Sequence, residues 1–242
     1  MRSDMRSFKI FTLLFTICLL TISVSAQKKR VKSWTCPPMT GNVLNREVCE
    51  PNFDWENTDI TTTLMTSFSS TETPAGISEI FTKSEEKRQT YNLTPNSLLL
   101  TDVLTKIITV EPRYQWKEEK GVINVFPIDD YEILDTRIPK FKFENKTKGE
   151  LLDEIEKTKQ FKKYLKKNKV TFPTETMIVG LIGSQPPRVF SIDMQNATVR
   201  EILNEIVRLN GSSTWFYREY EMSYFGREPR RYYSLYFIVR TD

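Results

Sequence analysis

The sequence predicts an α+β fold built from duplicated strand–helix–hairpin units, with the helices packed on a mostly antiparallel sheet. Three observations predict it. Stretches of strict apolar–polar alternation stand directly before apolar stripes of helical period. The helix openings repeat: Asp102-Val103-Leu104, Glu150-Leu151-Leu152 and Glu201-Ile202-Leu203 lie 48 and then 51 residues apart. The composition is globular, with 39% hydrophobic residues, 27% charged residues and only 8 glycines among 242.

Residues 1–26 read as a signal peptide. Arg2, Arg6 and Lys9 precede an apolar run over 10–24, and Val24-Ser25-Ala26 places cleavage after Ala26. The alternative, a membrane anchor, needs a run of roughly 20 apolar residues. Ile17 before Cys18 does not fit a lipoprotein signal, which wants a small residue there. Cleavage removes three basic residues and one acidic, taking the formal net charge from +4 to +2. No later stretch reaches spanning length, so a soluble secreted or periplasmic protein is expected. A balanced chain gives no reason to expect nucleic acid as a partner.

Residues 27–86 form the second segment. A basic arm over 27–35 leads into a loop-rich stretch containing Cys36 and Cys49. In an oxidising compartment these two form a structural disulfide, closing a ring of 14 residues. Such a ring stabilises by about 3 kcal/mol. A redox pair or a metal site is the alternative. Residues 59–70, rich in β-branched side chains, read as a strand. Thr73-Pro74 then opens a short helix running to about residue 86, weakened by Gly76.

Residues 87–242 form the repeat domain, in units of about 87–127, 138–182 and 188–242. In the first, Tyr91 and Leu93 alternate. Leu100, Val103, Leu104, Ile107 and Ile108 then line a helix that Pro112 ends, and 113–127 is a hairpin about Lys120-Gly121. In the second, Phe141 and Phe143 alternate, Thr147 and Glu150 make a capping box, and Leu151, Leu152 and Ile155 begin a stripe. No hairpin follows; a basic stretch does. In the third, Phe190, Ile192 and Met194 alternate and Thr198 and Glu201 make a second capping box. Val199, Ile202, Leu203, Ile206 and Val207 line the helix, worth on the order of 7–15 kcal/mol of apolar burial before entropy. Asn210-Gly211 ends it, and Trp215 opens a hairpin as Trp116 does in the first unit.

The block over 190–217 resembles the short N-terminal module of bacterial secretins and TonB-dependent receptors (an STN-like module). Together with 114–127 and 134–147 it also resembles a group of uncharacterised secreted bacterial proteins. The resemblance covers 87–242 and rests on packing and capping residues. It implies an envelope-facing interaction module and carries no catalytic residue.

Chemistry is sparse. The chain has no histidine, which removes the Ser-His and Cys-His machineries and imidazole metal sites. Gly180 and Gly183 are too sparse for a phosphate-cradling loop, and no cofactor is expected. Asp129, Asp130, Glu132 and Asp135 form an acidic cluster that suits either acid–base work or a solvated connection. Residues 157–169 carry seven lysines, with Lys162, Lys163 and Lys166 as candidates for an anionic surface or a solvated helix face. Ten aromatic residues crowd into 215–237. Of these, Trp215, Tyr217, Tyr220 and Tyr233, with Arg218, are candidates for a binding surface, against purely cross-strand packing. Asn145 and Asn196 stand where each strand hands over to its helix, a capping position. The expected function is an exported, non-catalytic interaction module of the bacterial cell envelope, its partner a protein or polymer. The rival is a carboxylate-dependent enzyme acting on envelope glycans.

Overall fold

The computed structural model describes residues 42–50, 53–83, 86, 89–95, 97–171, 188–211, 213–223 and 228–239. The expected signal peptide, the basic arm and Cys36, with its expected pairing to Cys49, lie outside them. All described residues belong to one compact unit spanning Pro37–Asp242.

The first helix, α1 (Ile60–Ser70), replaces the strand expected from its β-branched content. Asp59 caps it by accepting a bond from Thr62 N, and Ile60, Leu64 and Phe68 recur every four residues on the buried side. The hydroxyls of Thr63 and Ser67 donate to carbonyls four residues back, at 3.0 and 2.7 Å, so a threonine-rich run stays helical. Next, β1 (Ala75–Ser78) takes the place of the expected helix. All four of its residues are buried, which leaves no period to read. Gly76 is required here, since a Cβ would stand 2.1 Å from Trp215 Cε2.

Then come α2 (Leu100–Val110), the hairpin β2 (Tyr114–Glu119) and β3 (Val122–Pro127), and β4 (Arg137–Thr147). Two helices follow, α3 (Lys148–Lys157) and α4 (Lys159–Asn168), with β5 (Val170–Thr171) after them. The chain ends in β6 (Val189–Thr198), α5 (Val199–Asn210), β7 (Ser213–Met222) and β8 (Arg230–Val239). Both predicted capping boxes form, at Thr147 and Thr198.

Six strands make one sheet in the order β2-β3-β1-β7-β8-β5. Its two long pairings, β2–β3 and β7–β8, are antiparallel, as is the separate β4–β6 ribbon. The parallel pairings belong to the short strands β1 and β5. The three expected units regroup into two halves of one plan. Each half reads ribbon segment, helix, short strand, ribbon segment, helix, hairpin. In the first half the ribbon is irregular, held by antiparallel bridges Glu47–Leu99 and Thr58–Tyr91. In the second it is β4–β6, in which Phe141 faces Met194 and Phe143 faces Ile192 about a central Lys142–Asp193 pair. The missing hairpin of the middle unit is thereby explained: that unit is the opening of the second half.

Each half also sets its short strand parallel to the second strand of its own hairpin. The halves join where β1 runs parallel to β7, so β7 runs opposite to its counterpart β2. Coverage reverses as well. The core of α1 and α2 takes Ala75, Ile77, Ile123, Val125 and Phe216 from one face. That of α3, α4 and α5 takes Val122, Trp215, Tyr217, Tyr233 and Leu235 from the other. A half-turn about an axis crossing the strands, with a three-strand step, relates the two. The boundary expected at 86/87 falls inside the first core, which holds Val48, Leu64 and Ile77 together with Leu93, Leu104 and Ile123.

Candidate functional site

Alternation on β7 and β8 divides the aromatic cluster between the two faces. Trp215, Tyr217 and Tyr233 are core residues, with exposures of 0%, 0% and 2%, and so are removed from any binding surface. Trp215 lies over Gly76 and donates from Nε1 to Asn204 Oδ1 at 2.7 Å. Its position follows from the close approach of β1, whose only concession is a residue without a side chain.

The buried face holds a group that sequence reasoning missed. Glu219 is fully buried on β7. The phenols of Tyr164 and Tyr217 each donate to its Oε1 at 2.6 Å. Arg231 Nε stands 2.6 Å from Oε2, an ion pair without hydrogen-bond alignment. Burial, and then the Glu219 carboxylate, push the Tyr164 phenol well above its ordinary range, so it stays a donor. For Tyr217 the direction is the same. The network ties α4 to the hairpin and has a structural logic, because a buried carboxylate needs this many partners. An acid at an aromatic-flanked strand position signals nothing until its neighbours are known.

The acidic cluster is not brought together as a catalytic pair. Asp130 is taken by Arg200, which is buried and stacks over Phe126 at 4.9 Å. Asp130 also accepts from Ser78 Oγ and Tyr131 N, both at 2.8 Å. Glu132 pairs with Lys167 at 3.0 Å, Asp135 is exposed but lies 3.5 Å from Arg200 Nε, and Asp129 is exposed. The arrangement is a structural clamp between the 130–135 turn and α5. It supplies no facing carboxylates across a cleft, the arrangement that a carboxylate-dependent enzyme acting on envelope glycans would use. Among the described residues, no cluster of acidic residues or cysteines has metal-holding geometry, and no helix is long and apolar enough to cross a membrane.

What remains for binding is the opposite face of the same hairpin. Phe216, Arg218 and Tyr220 stand in a row on β7, facing Tyr236, Ser234 and Tyr232 on β8, and Phe216 is itself buried in the core of α1 and α2. The Arg218 guanidinium lies over the Tyr220 ring at 4.8 Å and 3.7 Å from Glu79 Oε2, with its side chain 37% exposed. Tyr236 is 40% exposed. Tyr220 and Tyr236 belong to neither core, whereas Tyr232 is buried. Beside them, Ile238 meets Glu50, Phe53, Met65 and Ser69 in a shallow depression along α1. On β2, the strand equivalent to β7, Gln115, Lys117 and Glu119 stand in place of Thr214, Phe216 and Arg218. Lys162, Lys163 and Lys166 lie elsewhere, exposed on α4.

Compared with family models, curated proteins and solved structures, the chain finds no match.

Proposed function

We propose that the protein is an exported, non-catalytic interaction module of the bacterial cell envelope, made of two copies of an STN-like unit. It engages its partner through the Arg218–Tyr220–Tyr236 face. One observation carries this reading: on the second hairpin Arg218 lies over Tyr220 beside the exposed Tyr236, where the equivalent strand of the first hairpin carries Lys117 and Glu119. Tyrosine and arginine are the residues that anchor protein interfaces, offering large contact area at small entropic cost. The strand–helix–strand order of both halves supports the resemblance seen in the 190–217 block. Carboxylates held by cations, Asp130 and Asp135 by Arg200 and Glu132 by Lys167, speak against the enzyme.

Affinity capture from envelope fractions with residues 27–242 tests the reading. The expected result is a partner retained by the wild-type chain and bound roughly 30-fold more weakly by the Arg218→Ala/Tyr236→Ala variant. Circular dichroism should stay unchanged, since neither side chain is in a core. Equal retention by the variant, or no partner at all, sinks the proposal.

A further inference from the structure

One helix has no counterpart in the other half. In the first half α1 passes through residues 71–74 into β1; in the second, α4 is inserted between α3 and β5. Its sequence is KQFKKYLKKN, with no acidic residue. Phe161 and Tyr164 anchor it inward, Phe161 against Tyr233 at 5.5 Å and Tyr164 on Glu219. Lys159, Lys162, Lys163, Lys166 and Lys167 all face outward and are exposed. Only Lys167 has an ion-pair partner among the described residues, Glu132.

This array costs stability. Lys159–Lys163, Lys162–Lys166 and Lys163–Lys167 are like-charge pairs at i,i+4, which repel on a helix surface. A charge pattern that folding disfavours, on the outer face of a helix that the other half lacks, points to an external anion. The five ammonium groups line roughly 12 Å of helix. All are lysine, giving compact point charges in place of the planar forks that read single carboxylates or phosphates. Such a row suits a broad surface of fixed negative charge. The apolar side of α4 is occupied by the core, so the helix cannot insert and attachment rests on charge alone.

We infer that α4 docks the protein on an anionic phospholipid bilayer by its lysine face. Phe161 and Tyr164 pack on the side of the sheet opposite Tyr236. A bilayer-bound molecule therefore presents its aromatic face away from the lipid. The inference stands on α4 alone and survives or fails independently of the partner-binding reading.

Co-sedimentation of residues 27–242 with phosphatidylglycerol vesicles, beside pure phosphatidylcholine vesicles, tests it. The wild-type chain binds the anionic vesicles only, and raised salt releases it. Lys162→Gln/Lys163→Gln/Lys166→Gln weakens binding roughly 100-fold with circular dichroism unchanged, and the triple Lys→Arg variant retains it. No binding to phosphatidylglycerol, equal binding to both vesicles, or an unaffected Gln variant overturns the inference. So does binding to soluble polyphosphate without binding to vesicles.

Discussion

A single buried carboxylate shows what one residue does here. Glu111, at the end of α2, accepts from Arg113 Nε at 2.7 Å, Arg113 Nη2 at 2.6 Å and the Tyr91 hydroxyl at 2.8 Å. The Arg113 bonds come first in holding its carboxyl down, to about 2 from 4.5. Burial, then Glu111, pushes Tyr91 up to about 12. A depressed carboxyl pKa contributes stability that is present above the unfolded value of 4.5 and is lost as pH falls through about 2. Arg113 is 59% exposed, so the contribution is discounted for solvent screening to about 1–2 kcal/mol. Denaturant titrations at about pH 7 and about pH 2 should show that loss in the wild type and little of it in Glu111→Gln. Parallel acid profiles for the two would refute the assignment. At this scale the sequence was least legible. Trp215 and Tyr236 look alike as aromatic residues on alternating strands, and only the packing of α5 on one face decides which is core.

Among elements, legibility followed periodicity. α2 and α5 were readable from their stripes, and the capping boxes of α3 and α5 from Thr147–Glu150 and Thr198–Glu201. α1 was misread because four of its eleven residues are threonine, a strand former until Asp59 and the Ile60–Leu64–Phe68 face are weighed. β1 was misread because a four-residue, fully buried strand has no pattern. Asn145 and Asn196 were located correctly but for another reason: both adopt positive φ, 54° and 49°, at the bend between strand and helix. The cap of α5 makes a sharp test. Thr198 Oγ1 accepts from Glu201 N at 3.1 Å while Glu201 Oε2 accepts from Thr198 N at 2.7 Å. Thr198→Ala should cost about 1 kcal/mol in chemical denaturation, and a change within error would show that the buried stripe alone fixes the helix.

For the molecule as a whole, the half-turn between halves places β7 inside the sheet and its counterpart β2 at an edge. β7 pairs with β1 through Trp215, Phe216 and Tyr217, whereas its counterpart β2 shows Trp116, Lys117 and Glu118 at the end of the sheet. Lys117 and Glu118 are exposed, and charge on an edge strand discourages further pairing. Lys117→Phe/Glu118→Tyr should therefore drive concentration-dependent association in light scattering, and an unchanged mass would discount the edge charges. The relation of the halves was invisible in sequence, since the first ribbon has lost its alternation and the helix α4 interrupts the second half. The depression beside Ile238 is walled by Phe53 and Met65 of the first half and floored by a strand of the second. Any partner seated there holds the two halves to one another. Its binding and the folding of the whole chain are then thermodynamically linked: occupancy raises the melting temperature of both halves together, by an amount set by partner concentration relative to its dissociation constant.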